Sequence, residues 1–282
     1  MLAEQRLRDG QLDAALEALQ DEVRRAPSDP KLRVFLFQLL AVLGQWERAL
    51  KQLQVAASFD AEALAMAQAY RELIRCEVLR AEVFQGRRTP SVIGDPEPWL
   101  ASLVQALRLT AEGHHAEAES LRQEAFSLAP ASTGRIEGAD FEWLADADSR
   151  LGPVLETVIR GRYHWVPMCR LRGLEVERPR DLRDLVWLPA KLRFQTGDET
   201  ACFIPARYPG SERSTDDAVR LARKTVWLEL GGATACGLGQ RMLVTDHSEL
   251  GLFELPRIDL TPFSEAATQQ AVALDRAGEP HG

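Results

Sequence analysis

Asp9-Gly-Gln-Leu-Asp-Ala-Ala-Leu16 and Leu43-Gly-Gln-Trp-Glu-Arg-Ala-Leu50 are two versions of one phrase, with Gly10 and Gly44 34 residues apart. Ala15/Ala49, Leu16/Leu50 and Leu19/Leu53 keep the same register. A third version, Glu112-Gly-His-His-Ala-Glu-Ala118, begins about three such periods after the first. Each copy runs to a helix breaker, at Pro27, Asp60 and Pro130. A glycine at the turn, then alanine and leucines on the following helix, describes a helical pair. One such pair cannot bury its own apolar face, so neighbouring pairs stack, and the small residues permit their close approach.

The flanking pattern agrees. Leu12, Ala15, Leu16, Leu19 and Val23 recur at three- and four-residue spacing, as do Leu32, Phe35, Leu36, Leu39, Leu40 and Leu43. At Ala26-Pro-Ser-Asp-Pro30, Asp29 is placed to cap the next helix with Pro30 at its first position. Ala61 to Phe84 reads as one long helix without the repeat's glycine, ending at Gly86-Arg-Arg-Thr-Pro90, so the array is irregular. After about residue 132 the pattern changes to short strand-like runs: Arg162-Tyr-His-Trp-Val-Pro, Leu185-Val-Trp-Leu-Pro, Ala201-Cys-Phe-Ile-Pro, Thr225-Val-Trp-Leu-Glu-Leu, Arg241-Met-Leu-Val-Thr and Gly251-Leu-Phe-Glu-Leu-Pro. Several stop at proline, which removes a ladder donor. The expected fold is α+β: a tetratricopeptide-like helical repeat domain over residues 1–131, a mostly antiparallel, small barrel-like β-rich domain over 132–264, and a tail over 265–282.

Composition limits function. With 34 basic against 42 acidic residues the chain carries −8, and nothing electrostatic favours nucleic acid or an anionic membrane surface. The N-terminal Met-Leu-Ala-Glu-Gln-Arg-Leu-Arg has charges where an export signal needs an apolar core, and no run approaches the roughly 18 apolar residues of a membrane span. A cytoplasmic protein is expected. The four cysteines, Cys76, Cys169, Cys202 and Cys236, are scattered and have no histidine at ligand spacing, so they read as small buried hydrophobes rather than a metal site.

Few residues point to catalysis. In Leu230-Gly-Gly-Ala-Thr-Ala-Cys-Gly-Leu-Gly-Gln-Arg-Met242, Gly232 and Gly237 have phosphate-loop spacing, but Leu238-Gly239 stand where lysine and a hydroxyl residue belong. The dinucleotide pattern fails too, since Met242 replaces its third glycine and a strand follows instead of a helix. A strand, a glycine-rich connection and a second strand is the better account. Asp140, Glu142, Asp146 and Asp148 cluster around Phe141-Glu-Trp-Leu144, offering an acid pair or metal ligands; the simpler reading is a solvated acidic loop with Trp143 and Leu144 facing the core. The five histidines form no set. No catalytic residue, cofactor or metal is assigned. The rival is a ligand-binding or enzymatic module in the C-terminal sheet, around Trp165, Trp187, Tyr208 and the glycine stretch.

Leu32-Arg-Val-Phe-Leu-Phe-Gln-Leu-Leu with Leu43-Gly-Gln-Trp-Glu-Arg-Ala-Leu, then Trp143-Leu-Ala-Asp-Ala-Asp-Ser-Arg-Leu-Gly-Pro, Arg180-Asp-Leu-Arg-Asp-Leu-Val-Trp-Leu-Pro, Ala206-Arg-Tyr-Pro-Gly and Gly237-Leu-Gly-Gln-Arg-Met-Leu form an ordered series. In that order they resemble the accessory proteins of bacterial type VI secretion called ImpE, TagJ or SciE, from about Leu7 to Leu260. The resemblance implies a non-catalytic cytoplasmic scaffold of a virulence-associated contractile machine. Its implied partner is an N-terminal helix of the small sheath subunit (TssB), with an indirect link to the sheath-recycling ATPase ClpV. No cofactor, nucleic acid or membrane is implied, and homo-oligomerisation is left open.

A stacked helical array offers a groove for such a helix. If the helix from Lys31 to Leu43 buries Leu32, Phe35, Leu36, Leu39 and Leu43, then Arg33, Phe37 and Leu40 lie on another side; Tyr70 and Arg71 on the next long helix are similar. Aromatic residues and arginine supply most interface hot spots, so Arg33, Phe37, Leu40, Tyr70 and Arg71 are the candidate partner-binding set. The alternative is packing against the following helix or the C-terminal domain.

Overall fold

The computed structural model describes residues 1–95, 97–231 and 234–262, with Glu62 described by its backbone alone. The tail expected over 265–282 lies outside the described residues.

The N-terminal part is built from helical hairpins: α1 (Leu2–Arg8) with α2 (Leu12–Arg25), α3 (Pro30–Val42) with α4 (Trp46–Ala57), then the long α5 (Ala61–Phe84), and α6 (Pro98–Glu112) with α7 (His115–Leu128). The glycine of each repeated phrase turns its hairpin in the left-handed region, at φ 72° for Gly10, 67° for Gly44 and 84° for Gly113. Only glycine adopts that conformation without a steric penalty. Asp29 caps α3 as expected, its carboxylate accepting from the Lys31 and Leu32 amides with Pro30 at the first position. On α2 the buried stripe is Leu12, Ala15, Leu19 and Val23.

Strand β1 (Ser91–Val92) lies in the connection between α5 and α6. The rest follow α7: β2 (Gly134–Ile136), β3 (Ala139–Phe141), β4 (Leu144–Asp146), β5 (Val154–Ile159), β6 (Arg162–Pro167), β7 (Leu171–Val176), β8 (Trp187–Phe194) and β9 (Glu199–Pro205). After the short α8 (Asp217–Arg220) come β10 (Thr225–Glu229), β11 (Ala235–Gly239), β12 (Met242–Thr245), β13 (Glu249–Gly251) and β14 (Ile258–Leu260). Nine strands form one sheet in the order β1-β6-β5-β9-β8-β7-β14-β2-β3, antiparallel throughout except for the β1–β6 pair. A β10–β11 hairpin and a β13-β12-β4 sheet complete the unit.

This order runs from edge to edge, so the large sheet is open rather than the expected small barrel. The cause is visible in the alternation along its strands. Val154, Val158, Tyr163, Trp165 and Trp187 point one way, into a core shared with α3, α5 and α6. Leu155, Val166, Leu188, Leu192 and Ile204 point the other way, into a second core with Leu243, Leu252 and Ile258. A sheet apolar on both faces must be covered on both, and here the helices cover one. Tyr70 of α5 makes the joint aromatic, with its ring 5.3 Å from Phe37, 5.6 Å from Trp187 and 6.3 Å from Phe203.

Two local expectations are corrected. Trp143 is 41% exposed rather than turned inward, while Leu144 is buried. The Asp146-Ala-Asp148 stretch is no solvated loop, for both carboxylates are buried. The reason lies in arginines: Arg241, 95 residues on, for Asp146, and Arg150, two residues on, for Asp148.

Candidate functional site

Arg241 anchors a buried network of charged side chains. Arg241, fully buried, donates to Asp146 with one terminal nitrogen, to Glu156 with the other and to the Pro205 carbonyl through Nε at 2.9 Å. Glu156 on β5 also accepts from Arg80 of α5, through Nε and Nη2 at 2.8 Å each, and from the Tyr163 hydroxyl. Arg80 Nη2 reaches the Arg207 carbonyl at 2.8 Å, and Arg207 in turn donates to the Val42 carbonyl at the end of α3, also at 2.8 Å. The chain of contacts therefore runs from the β12 side through the sheet into two helices.

Environment separates the acids. Burial would raise Glu156, but Arg80 and Arg241 outweigh it and hold its carboxyl down to about 2. Burial raises Asp146 to about 6 despite the pull of Arg241, with Asp148 adding to the rise. Glu77, which accepts from Trp187 Nε1 at 3.2 Å, is also raised by burial against the pull of Arg80. Each of these carboxylates is engaged by a guanidinium, a ring donor or a hydroxyl, which is how a protein makes buried charge tolerable.

The glycine-rich stretch straps this region. Its central residues form β11, where the sequence suggested a connection, and Gly237 N donates to Asp148 Oδ2 at 2.9 Å. The Tyr208 ring lies flat against Gly237, so any Cβ there would overlap it. Gly239, at φ 96°, passes the Lys224 carbonyl equally closely. Thr234, just before β11, bridges to the helical array: its hydroxyl accepts from Arg122 Nη2 at 2.5 Å and donates to Glu119 at 2.7 Å, both on α7. Trp165, Trp187 and Tyr208, the proposed surroundings of a rival ligand pocket, are fully buried packing residues. The four cysteines are buried free thiols, with burial pushing Cys202 up to about 12 and Cys76, Cys169 and Cys236 up to about 11.

The five residues expected to bind a partner do not share a surface. Phe37 and Leu40 are buried at 0% and 1% exposure, and Tyr70 is buried against the sheet. α3 buries every residue from Leu36 to Val42, Gln38 included, so this half of the helix has no second face to offer. The run Phe35 to Val42 with one polar residue carried that signal, since a helix apolar all round belongs in an interior. Arg33 is half-buried, bonding the Pro27 carbonyl at 2.6 Å and Gln52 at 2.8 Å, and Arg71 is exposed.

A cluster of exposed aromatic side chains lies elsewhere. Between the end of α7 and strands β4, β10 and β12 lies a groove of 700 Å³. Its walls are Phe126, Trp143 and Trp227, which are 37%, 41% and 40% exposed, and its floor is Ala145, Ala147 and Ala235. Phe126 packs so closely over Gly152, at φ 53°, that a side chain there would collide with its ring. Trp227 leans on Tyr208 with centroids 5.6 Å apart, which ties this wall to the buried network. The isolated motif reading missed this site because Phe126, Trp143 and Trp227 are far apart in sequence and each alone reads as a core residue. Patches of exposed aromatic residues mark interaction surfaces more often than reaction centres.

Residues 138–259 match the ImpE protein family. The chain is 55% identical over 262 residues to the type VI secretion system accessory component TagJ of Pseudomonas aeruginosa strain PAO1, covering 93% of this chain and 92% of that protein. It also superposes on the X-ray crystal structure of a Vibrio parahaemolyticus protein with a TM-score of 0.85 and 26% identity, over 95% of this chain and all of that one. Likeness of that extent to TagJ, together with the match to the ImpE family across the β-rich part, shows that the chain belongs to the ImpE/TagJ family.

Proposed function

We propose that this protein is a non-catalytic adaptor of a bacterial type VI secretion system, acting in the cytoplasm. In this reading it binds the N-terminal helix of the small sheath subunit (TssB) and so is linked to recycling of the contracted sheath by the ATPase ClpV. The observation that carries the proposal is the likeness to TagJ, named as an accessory component of that system, along 93% of the chain. Two structural features support it. The buried acids Asp146 and Glu156 are paired within the fold, while the exposed Phe126, Trp143 and Trp227 gather in a groove of a size for a secondary-structure element. The helical hairpins of residues 1–131 act here as a tetratricopeptide-like scaffold that holds one wall of that groove, and the β-rich part that follows supplies the rest.

Calorimetric titration of the full chain with the purified small sheath subunit tests this. Saturable binding that disappears when the subunit's N-terminal helix is removed is expected. Absence of binding to the intact subunit overturns the proposal, and so does binding that survives loss of the helix.

A further inference from the structure

We infer that the groove walled by Phe126, Trp143 and Trp227 is the seat of a basic amphipathic helix from a protein partner. The inference rests on the adaptor reading above and names the surface and partner chemistry that this reading leaves open.

Shape is the first argument. Large, partly exposed aromatic rings and small alanines line one groove of 700 Å³, a combination that suits the apolar stripe of a helix. Along the floor, strand addition is disfavoured by hydrogen bonding, because three backbone amides there are already engaged. Asp146 N donates to the Gly152 carbonyl at 2.6 Å, Ala147 N to that of Met242 at 3.0 Å, and Ser149 N to that of Ala235 at 3.0 Å. Over that floor, recognition falls to side chains.

Charge supplies the partner's sign. Among the described residues no lysine or arginine lines the groove, and Glu249 does. Glu142 is next to Trp143 in the chain, and Glu229 follows Trp227 by two residues on the same face of β10. Among the described residues no ion pair engages the carboxylates of Glu142, Glu229 or Glu249. Three uncompensated acids around an apolar trough, on a chain of net charge −8, fit a helix with lysine or arginine beside its apolar stripe.

A photocrosslinker identifies the occupant. Phe126→p-benzoylphenylalanine in the full chain is illuminated with the small sheath subunit, and with designed amphipathic helices of about 18 residues made of leucine with lysine or of leucine with glutamate. Adducts with the Leu/Lys helix and the sheath subunit, and none with the Leu/Glu helix, are expected. In calorimetry, Trp143→Ala/Trp227→Ala and, separately, Glu142→Lys/Glu249→Lys should each weaken both partners at least about tenfold. Circular dichroism checks the fold of each, and Arg71→Ala should bind as the unaltered chain does. Equal binding of the Leu/Lys and Leu/Glu helices overturns the inference, as do adducts with a second copy or with residues 263–282 of the same chain. Sheath-subunit binding lost in Arg33→Ala/Arg71→Ala and kept in both groove variants also overturns it. If the sheath subunit fails to bind the unaltered chain, the adaptor reading falls, and the designed helices still decide the groove.

Discussion

The guanidinium of Arg80 on α5 meets the carboxylate of Glu156 on β5 through two hydrogen bonds of 2.8 Å, 76 residues apart in sequence and away from solvent. This contact joins the helical array to the sheet, and its other partner, Arg241, makes the two ends unequal. Glu156→Gln leaves two buried guanidiniums short of a counter-charge and should cost about 3–5 kcal/mol of unfolding free energy. Arg80→Met leaves Glu156 still paired with Arg241 and should cost less. Urea denaturation of the two variants reads the order directly, and a larger loss in Arg80→Met would contradict it.

The acids on Arg241 give opposite pH dependences. Asp146 is raised to about 6, so the folded chain holds its proton more tightly than the unfolded one. Its contribution to stability is full at low pH and is lost as pH rises from about 4 to about 6. Glu156, held down to about 2, contributes stability above about 4.5 that disappears as pH falls toward 2. In Asp146→Asn the first effect is removed. The stability advantage of the unaltered chain over this variant should therefore shrink by up to about 3 kcal/mol between pH 4 and pH 7. Unfolding curves across that range provide the check, and a constant difference would refute it.

Gly237→Ala forces the Tyr208 ring off β11 and disturbs the bond from its hydroxyl to Asp146, which is 3.0 Å long. A loss of roughly 1–3 kcal/mol is expected. Because Tyr208 leans on Trp227, the near-ultraviolet circular dichroism should change with it. Gly138→Ala, where an added Cβ meets nothing within 4 Å, bears only the strain of its positive φ and should leave that spectrum as it was.

Phe37→Ala removes a ring packed on Tyr70 in the joint between α3, α5 and the sheet, and should lower stability by about 3–5 kcal/mol. Arg71→Ala, at an exposed position, should stay within about 0.5 kcal/mol of the unaltered chain. Thermal melts of both distinguish a core from a surface at positions that hydrophobic spacing alone set side by side.

That last pair shows where the sequence was legible. Gly10, Gly44 and Gly113 mark turns that depend on residues within a few positions, so their shared phrase located the hairpins correctly. Asp29 and Pro30 fixed the start of α3 for the same local reason. The setting of Asp146 is assembled at long range, since Arg241 lies 95 residues away; Asp148 combines a local pair with Arg150, two residues on, with a β11 amide 89 residues away. Phe37 was misread because one amphipathic face was assumed for a helix packed all round. The groove had no local signature, since its walls come from a helix end and two separate sheets.

Strand β1, two residues in the link between α5 and α6, pairs in parallel with His164 and Trp165 of β6. The chain thus lends a piece of its helical half to the border of the sheet before the sheet itself is made. Cutting near residue 131 leaves a C-terminal fragment whose β6 has lost its neighbour and presents bare amides and carbonyls, an invitation to pair with other molecules. It also strips the cover from Trp165 and leaves Glu156 without Arg80. Laboratory dissection near residue 131 therefore cuts through one interleaved unit.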